Sequence, residues 1–317
     1  MEGIVEAVGL TKVFGKRNKH PAVAELELSI PEGQLFGLVG PDGAGKTTTI
    51  RILSTVMLPT SGSCRVAGLD LRRESEKARP FIGYMPQQFS LYPDLSVIEN
   101  LTFFANLNQV PSEIKDERIT EMLAFTRLER FRTRRARQLS GGMQKKLALA
   151  CALVHGPKVL LLDEPSTGVD PVSRRELWVM LGEVVRQGVT ILVSTPYMDE
   201  ADRCDAIGMI YEGRLLTQGS PADLQSGLPF TILEVKARPR KTMRSIVEET
   251  PGIIDWRPVG DRLRLAVPNQ ERETNRIMRT LGKRFQEEKL DIRVMRKAKR
   301  SMEDVFVHLV SQQRSGA

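Results

Sequence analysis

Apolar and polar positions along the chain fall into short blocks of changing period. Residues 2–30 alternate closely enough to predict strands, broken by a loop over 15–21. Three runs lose the alternation and stay apolar throughout: QLFGLVG (34–40), VLLLD (159–163) and VTILVST (189–195). Continuous apolar runs of this length predict strands covered on both faces, as in a parallel sheet. TTTIRILSTVM after residue 46, the region 98–128 and SRRELWVMLGEVVRQG (173–188) follow a helical period. Ser96 and Glu99 have the spacing of a capping box, which starts the second of these. CRVAGLDL predicts a short strand, FIGYMPQQ (81–88) a strand ending in two glutamines, YMDEADRCD a short helix, and AIGMIYEGRLLTQG a hairpin turning at Glu212-Gly213. RLERFRTRRAR (127–137) predicts a solvated basic helix face. Strands that alternate with helices imply an α/β domain with a mainly parallel core sheet over residues 1–227, with a helical subdomain at about 90–155.

From about Leu228 the pattern changes. FTILEVKAR, GIIDW, RLRLAV and DIRVMR predict strands, KTMRSIVEE and ETNRIMRTLGKRFQEE predict helices, and MEDVFVHLV predicts a closing helix. The order β-α-β-β-α-β is the ferredoxin-like arrangement, so residues 228–317 are expected to form a small α+β domain. Charge separates the two parts. The formal net charge is +8, and the residues from Leu228 onward hold 20 Lys and Arg against 12 Asp and Glu, so the whole excess lies there. A basic domain can meet anionic lipid or nucleic acid, but a solvated face explains the charge more simply. No apolar stretch reaches the roughly 20 residues that span a bilayer. The start MEGIVEAVGLTKVFG lacks the basic and apolar regions of a secretion signal. Cys64, Cys151 and Cys204 show no metal-ligand spacing and are expected to be reduced thiols. His20, His155 and His308 are isolated, and Trp178 and Trp256 fall inside predicted elements, so none is assigned chemistry.

The chemistry concentrates in a few short stretches. GPDGAGKT (40–47) fits G-x-x-x-x-G-K-[ST] and lies between a predicted buried strand and a predicted helix. Gly40, Gly43 and Gly45 let the backbone curl so that the N–H groups of Gly40, Pro41-Asp42, Gly43, Ala44 and the residues up to Thr48 surround a polyphosphate (Pro41 itself has no donor). The positive end of the following helix adds to this. Lys46 supplies a mobile cation for the β- and γ-phosphates, and the Thr47 hydroxyl suits Mg²⁺. VLLLDEP ends in two carboxylates: Asp163 can hold Mg²⁺ through water, and Glu164 can orient or deprotonate an attacking water. In LSGGM, Ser140 is a predicted N-cap, and with Gly141 and Gly142 it forms a second anion-binding helix terminus.

Taken in order, GPDGAGKT, the glutamines after FIGYMP, LSGGM, VLLLDEP and STGVD resemble the motifs of ATP-binding subunits of ABC transporters. The resemblance covers about residues 4–225, and it is nearest to the bacterial exporter branch whose membrane subunits are separate chains. It implies a P-loop ATPase that uses ATP and Mg²⁺. By similarity Phe14 stacks on the base, and Gln87 is the glutamine that joins Thr47 and Asp163 at the metal and Glu164 in catalysis. Asp170 belongs to the D-loop, and Ser140-Gly141-Gly142 cover the ATP of a partner. The implied partners are membrane-spanning permease subunits and a second ATP-binding domain, with no nucleic acid. The implied location is peripheral, on the cytoplasmic face of the inner or plasma membrane. Drugs or lipophilic compounds are the implied cargo. The alternative is a soluble ABC ATPase acting on ribosomes or nucleic acid.

Asp42 stands where Asn is usual and Met143 where Gln is usual, and both are tolerable. In VSTPYMDEA, Pro196 stands where the family has a histidine that contacts the γ-phosphate. Proline has neither a side-chain donor nor an N–H. The chain thus resembles the first half of tandem exporter ATPases with a degenerate His-loop. A slow site paired with a different, His-containing domain is expected ahead of a homodimer.

Overall fold

The computed structural model describes residues 3–15, 20–88 and 91–315. Contacts divide the chain into two compact units, Met1–Pro221 and Ala222–Ala317. The division falls six residues before the boundary read from the sequence, because helix Pro221–Ser226 separates the last hairpin of the first unit from the first strand of the second.

In the first unit, β1 (Val5–Lys12), β2 (Val23–Ile30), β3 (Leu35–Val39), α1 (Lys46–Leu53), β4 (Ser61–Val66), β5 (Leu69–Asp70), α2 (Ser75–Ala78) and β6 (Ile82–Met85) come first. They are followed by α3 (Val97–Leu107), α4 (Ser112–Thr126), α5 (Gly141–Leu153), β7 (Val159–Asp163), α6 (Pro171–Arg186), β8 (Thr190–Thr195), α7 (Met198–Ala201), β9 (Ala206–Tyr211) and β10 (Arg214–Gly219). One antiparallel sheet has the order β2-β1-β4-β5, and a six-stranded sheet has the order β10-β9-β3-β8-β7-β6. Within the larger sheet β9, β3, β8, β7 and β6 are parallel and only β10 runs against its neighbour. Every residue of β3, β7 and β8 is buried, which is why their sequences show no alternation. The row β3-β8-β7-β6 brings the carboxyl ends of four parallel strands side by side, at the usual spacing of about 4.8 Å.

Two stretches depart from the sequence reading. CRVAGLDL is part of a hairpin rather than one strand: Ala67 (φ 51°) and Gly68 (φ 80°) turn the chain between β4 and β5. The residues 127–137 do not form an α-helix. Arg127 takes the left-handed conformation (φ 58°) and ends α4, and short 3₁₀ turns follow at Glu129–Phe131 and Ala136–Gln138. Carbonyls of this segment accept from the start of α3: Arg134 from Val97 N–H at 3.0 Å and Arg132 from Ile98 N–H at 3.0 Å. An α-helix here would consume those carbonyls internally and leave the α3 terminus unsatisfied. The α3 capping box forms in both directions between Ser96 and Glu99. Helix α5 packs on α3, α4, α6 and β6. At Gly142 its backbone comes so close to α6 that an added Cβ would lie 2.2 Å from Ser173 Oγ and 2.5 Å from Ser173 Cβ.

The second unit begins with α8 (Pro221–Ser226), one residue of which precedes the division. It continues through β11 (Phe230–Arg238), α9 (Arg240–Glu248), β12 (Asp255–Val259), β13 (Arg262–Pro268), α10 (Glu271–Glu287), β14 (Asp291–Ala298) and α11 (Met302–Ser315). Its sheet is antiparallel throughout, in the order β12-β13-β11-β14. Leu233, Val235, Leu263, Leu265 and Val267 pack on Ile246, Ile277, Leu281 and Phe285 from α9 and α10. The opposite face carries a lattice of charges. Glu234 accepts from Arg262 (2.9 Å), Arg264 (3.1 Å) and Arg296 (3.0 Å). Asp304, buried at the start of α11, accepts from Arg257 and Arg264 (both 2.7 Å), from Ser301 N–H (2.8 Å) and from Ser301 Oγ (2.9 Å). Four of the unit's arginines, Arg257, Arg262, Arg264 and Arg296, are therefore engaged by its own carboxylates.

Burial pushes the Asp304 carboxyl up, but the hydrogen bonds from Arg264, Arg257 and Ser301 outweigh it and leave the group below its ordinary range. A depressed carboxyl stabilises the fold above its unfolded value of about 3.9, and the contribution is lost as pH falls through the folded value. Asp304→Ala is expected to cost the second unit about 3–5 kcal/mol, because it strips the shared acceptor from two guanidinium groups. Denaturant unfolding of the full chain, followed at peptides of each unit by hydrogen exchange, should show the second unit melting earlier and the first unchanged. The variant should also lose its acid sensitivity below about pH 4. Equal melting of wild type and variant would refute the role. For Gly142→Ala the expected loss is about 1–3 kcal/mol in the first unit from overpacking. Adding Ser173→Gly should restore most of it, as read from the thermal midpoint.

Candidate functional site

The larger sheet dictates where the chemistry sits. β3 leads into Gly40, β8 ends at Thr195 and leads into Pro196, β7 ends at Asp163 and leads into Glu164, and β6 leads through Pro86 to Gln87. Glycines carry the loop after β3. Gly43 (φ 78°) and Gly45 (φ 110°) take conformations that other residues rarely adopt, and a Cβ at Gly45 would lie 2.4 Å from the Ala22 carbonyl oxygen. Gly45 is the N-cap of α1, so the first N–H groups of α1 have no partner inside the helix and face the loop. Asp42 and Gly43 are exposed, Ala44 is buried, and Pro41, Thr47 and Thr48 are half-buried.

Lys46 is buried and folds back over its own loop, donating to the carbonyls of Gly40 (2.8 Å) and Pro41 (2.9 Å). Its ammonium lies 3.6 Å from Glu164 Oε1. Burial lowers the Lys46 pKa, and the carboxylates of Glu164, Asp42 and Asp163 oppose that without cancelling it. Asp163 is wholly buried. Its Oδ1 accepts from Ser194 Oγ (2.7 Å) and Thr47 Oγ1 (3.0 Å), while Oδ2 is buried with no hydrogen-bond partner. Glu164 adopts φ 47°, a left-handed conformation costing about 1–3 kcal/mol for such a residue. It is held there on several sides. Its N–H donates to Ser194 Oγ (3.0 Å), and its Oε2 accepts from Gln87 Nε2 (2.9 Å) and Thr167 Oγ1 (3.2 Å).

The structure thus joins Thr47, Gln87, Asp163 and Glu164 through hydrogen bonds, by way of Ser194, with Lys46 ion-paired to Glu164. An orphaned carboxylate oxygen beside a threonine hydroxyl fits a hard cation with oxygen ligands. Among the described residues there is no group of three or more His, Cys, Asp or Glu that could hold a metal alone. Such a cation would therefore draw the rest of its shell from Thr47, Gln87, water or a phosphate ligand.

Phe14 follows β1 and is 43% exposed, with Lys12 Nζ 5.4 Å from its ring centroid. Ala22 connects this end of β1 to the phosphate loop: its N–H donates to the Lys12 carbonyl, and its own carbonyl adjoins Gly45. Pro196 is half-buried at the turn after β8. Around it, Glu200, fully buried, accepts from Arg174 Nε (2.6 Å), Trp178 Nε1 (2.9 Å) and the Thr195 hydroxyl, and Tyr197 N–H donates to Thr195 Oγ1 (3.1 Å). Ser140, Gly141 and Asp170 are exposed and stand apart from this cluster. Ser140 Oγ accepts from Met143 N–H at the start of α5 (3.3 Å), and Asp170 Oδ1 accepts from Val172 and Ser173 N–H at the start of α6 (both 3.0 Å). Those two termini adjoin each other, with the Gly168 carbonyl oxygen 4.0 Å from a Cβ built at Gly141.

One residue of the cluster escapes the motif reading. Lys145, on α5, is buried and donates to the Gln87 carbonyl at 3.2 Å. Burial lowers its pKa, against the pull of the Glu164 and Asp163 charges. The available signal was a lysine on the stripe of α5 that also holds Gly142 and Leu149, a stripe otherwise buried. All three cysteines are buried free thiols, and burial together with Asp70 pushes Cys64 up to about 11.

A family model described as ABC transporter matches residues 23–167. The chain is 43% identical over 272 residues to a probable multidrug ABC transporter ATP-binding protein, YbhF, of Escherichia coli, covering 85% of this chain and 47% of that protein. It therefore spans about half the length of that relative. It is 33% identical over 309 residues to the daunorubicin/doxorubicin resistance ATP-binding protein DrrA of Streptomyces peucetius, covering 96% of this chain and 92% of that one. Among solved structures, a dimeric post-hydrolysis state of an ATP-binding cassette bound to ADP and Pi superposes with a TM-score of 0.63 at 27% identity, over 68% of this chain and 98% of the other. A strand row ending in a glycine phosphate loop, a buried Asp-Glu pair and a glutamine, with one relative matched over nine-tenths of its length, means that this chain belongs to the ABC transporter family of ATP-binding proteins.

Proposed function

We propose that the chain binds and hydrolyses ATP at the Lys46–Asp163–Glu164 cluster and thereby drives export through separate membrane-spanning subunits, from the cytoplasmic face of the membrane. The observation that carries this reading is the pairing of an orphaned Asp163 oxygen with a Glu164 held in a strained backbone conformation by Gln87, Thr167 and Ser194. Strain of this kind persists only where the surroundings over-determine it, and it clusters at working sites.

In this reading the N–H groups from Gly43 to Thr48 cradle the phosphates. Lys46 exchanges its two loop carbonyls for the β- and γ-phosphate oxygens. Thr47, Gln87 and Asp163 hold Mg²⁺, which when bound neutralises charge on those oxygens. Glu164 accepts a hydrogen bond from the attacking water and takes its proton. Gln87 fixes the carboxylate that does so, and Phe14 stacks on the base through its open face. Ser140, Gly141 and Gly142 of one chain cover the ATP bound by another, with Asp170 at the same junction. Their exposure at adjoining helix termini supports this division of labour. A surface groove of about 290 Å³, lined by Val56, Arg79, Tyr84, Phe104, Leu107 and His155, lies beside exposed Tyr92 and suits an inserted segment of a membrane subunit. No helix among the described residues is long and apolar enough to cross a membrane, so the reading needs such a partner.

Pro196 sets the expected rate. Removal of one preorganised donor to a developing charge costs about 100- to 1000-fold. The chain alone is expected to bind ATP and turn it over slowly. Pro196→His should raise turnover by about 10-fold or more, and Glu164→Gln in that background should abolish the gain. Steady-state phosphate release checks this, and brisk wild-type turnover that Pro196→His leaves unchanged would sink it. A faster site is expected where a His-containing ATP-binding domain pairs with this chain and receives its Ser140–Gly142 surface. Purification of the tagged chain from its native host should then recover a second, different ATP-binding domain in equal amount. Recovery of identical chains only would establish the homodimer instead.

A further inference from the structure

Lys46 and Lys145 are the only buried lysines among the described residues. Lys46 belongs to the phosphate loop, and no motif accounts for Lys145. A buried ammonium is costly, and at a core-facing position of α5 a leucine or methionine would pack without that cost. What the ammonium gains is specific. Nζ donates to the Gln87 carbonyl at 3.2 Å, and the charges of Glu164 and Asp163 lie close enough to stabilise it. Gln87 in turn donates from Nε2 to Glu164 Oε2 at 2.9 Å. A continuous path thus runs from Lys145 through the backbone and side chain of Gln87 to the carboxylate of Glu164. The helix carrying Lys145 is itself anchored, since the next residue, Lys146, pairs with Glu176 of α6 at 2.7 Å. Lys145 also lies about one and a half turns from Ser140 on the same helix. The bond to Gln87 therefore ties a chain's own site to the surface it would lend to a partner.

We propose that Lys145 is a positioning residue for hydrolysis: it fixes Gln87 through its carbonyl, and Gln87 then fixes Glu164. The inference rests on the hydrolytic reading above. A neutral side chain of similar length at 145 keeps the packing and removes the donor. The Gln87 backbone is then free to shift, and the Glu164 carboxylate loses its aim while the phosphate loop is untouched.

The test uses the full chain and compares wild type with Lys145→Met, Lys145→Arg, Gln87→Ala and the Lys145→Met/Gln87→Ala pair. Lys145→Met is expected to lower kcat about 10-fold, with KM for ATP and the affinity for a fluorescent ATP analogue changed less than about 2-fold. Lys145→Arg should retain about half of kcat or more, because it keeps a charged donor. In the Gln87→Ala background, Lys145→Met should cost less than about 2-fold further, the mark of two residues acting in series. Independently of turnover, amide exchange in a peptide spanning 82–88 should quicken about 5-fold or more in Lys145→Met, with 147–153 unchanged. Additive losses in the double variant would overturn the proposal. So would a loss of nucleotide affinity equal to the loss of kcat, or unchanged exchange at 82–88. If wild type shows no turnover that Glu164→Gln removes, the hydrolytic reading has failed, and the exchange experiment alone decides whether Lys145 holds Gln87.

Discussion

Two carboxylates buried at the end of an apolar strand set the terms for the rest of the first unit. Asp163 and Glu164 follow four apolar residues of β7 and have almost no access to solvent. A polar group in such a place must be paired or supplied with hydrogen-bond donors, or its burial costs several kcal/mol. The neighbouring strands provide these. β8 delivers Ser194, which bonds both residues, the loop after β3 delivers Lys46 and Thr47, and the segment after β6 delivers Gln87. The strand order β3-β8-β7-β6 is thus also the order in which these groups converge. The Oδ2 of Asp163 is a demand of this site that the described residues leave unmet.

Another buried carboxylate governs the corner where Pro196 sits. Glu200 gathers Arg174, Trp178 and the Thr195 hydroxyl, and Arg174 also lies 4.5 Å from the Tyr197 ring centroid. Tyr197 N–H turns back to Thr195 Oγ1. The path of the chain through 195–200 is therefore fixed by residues on either side of 196, with no contribution required from residue 196 itself. Proline, lacking an N–H, fits such a turn without leaving a donor unsatisfied. On the proposed reading, a proline at 196 would withhold only a side-chain donor, while the hydrogen bonds around it keep the scaffold standing. That separation is why the expected effect is on rate rather than on folding or nucleotide affinity.

Features with a short-range physical cause were legible in the sequence. The glycines of the phosphate loop announce conformations that other residues resist, the buried strands announce themselves by unbroken apolarity, and Ser96 and Glu99 announce a helix start. Features that depend on what packs opposite were not. The residues 127–137 look helical by charge spacing, but the carbonyls of Arg132 and Arg134 are needed by Ile98 and Val97 of α3, a partner distant in sequence. The Ala67-Gly68 turn carries only half of the usual hairpin signal, so one strand was read where two are found. Lys145 reads as an ordinary lysine on an amphipathic helix until the loop from β6 is placed against it. In the second unit, net charge suggested an open basic face. The sequence could not show that Glu234 gathers three arginines and Asp304 two, because those pairings cross elements whose order no periodicity encodes.

The exposed termini of α5 and α6 complete the physical picture. A helix start has unpartnered N–H groups and a partial positive charge. On α6 the Asp170 carboxylate answers both, since it accepts from two of those N–H groups and brings a negative charge. On α5 the cap is Ser140, which accepts one hydrogen bond and brings no charge, and no acidic residue stands in the first turn. The α5 terminus is thus left with donors and a positive field facing solvent, while the chain's own phosphate loop lies in a different cluster. An anion is the natural ligand of such a surface, and a phosphate presented by a second ATP-binding domain would supply one. Gly142 explains why this surface holds its shape, because its missing Cβ lets α5 seat directly on Ser173 of α6. The same contact joins α5 to α6, so on the proposed reading the two exposed termini would meet a partner as one rigid edge.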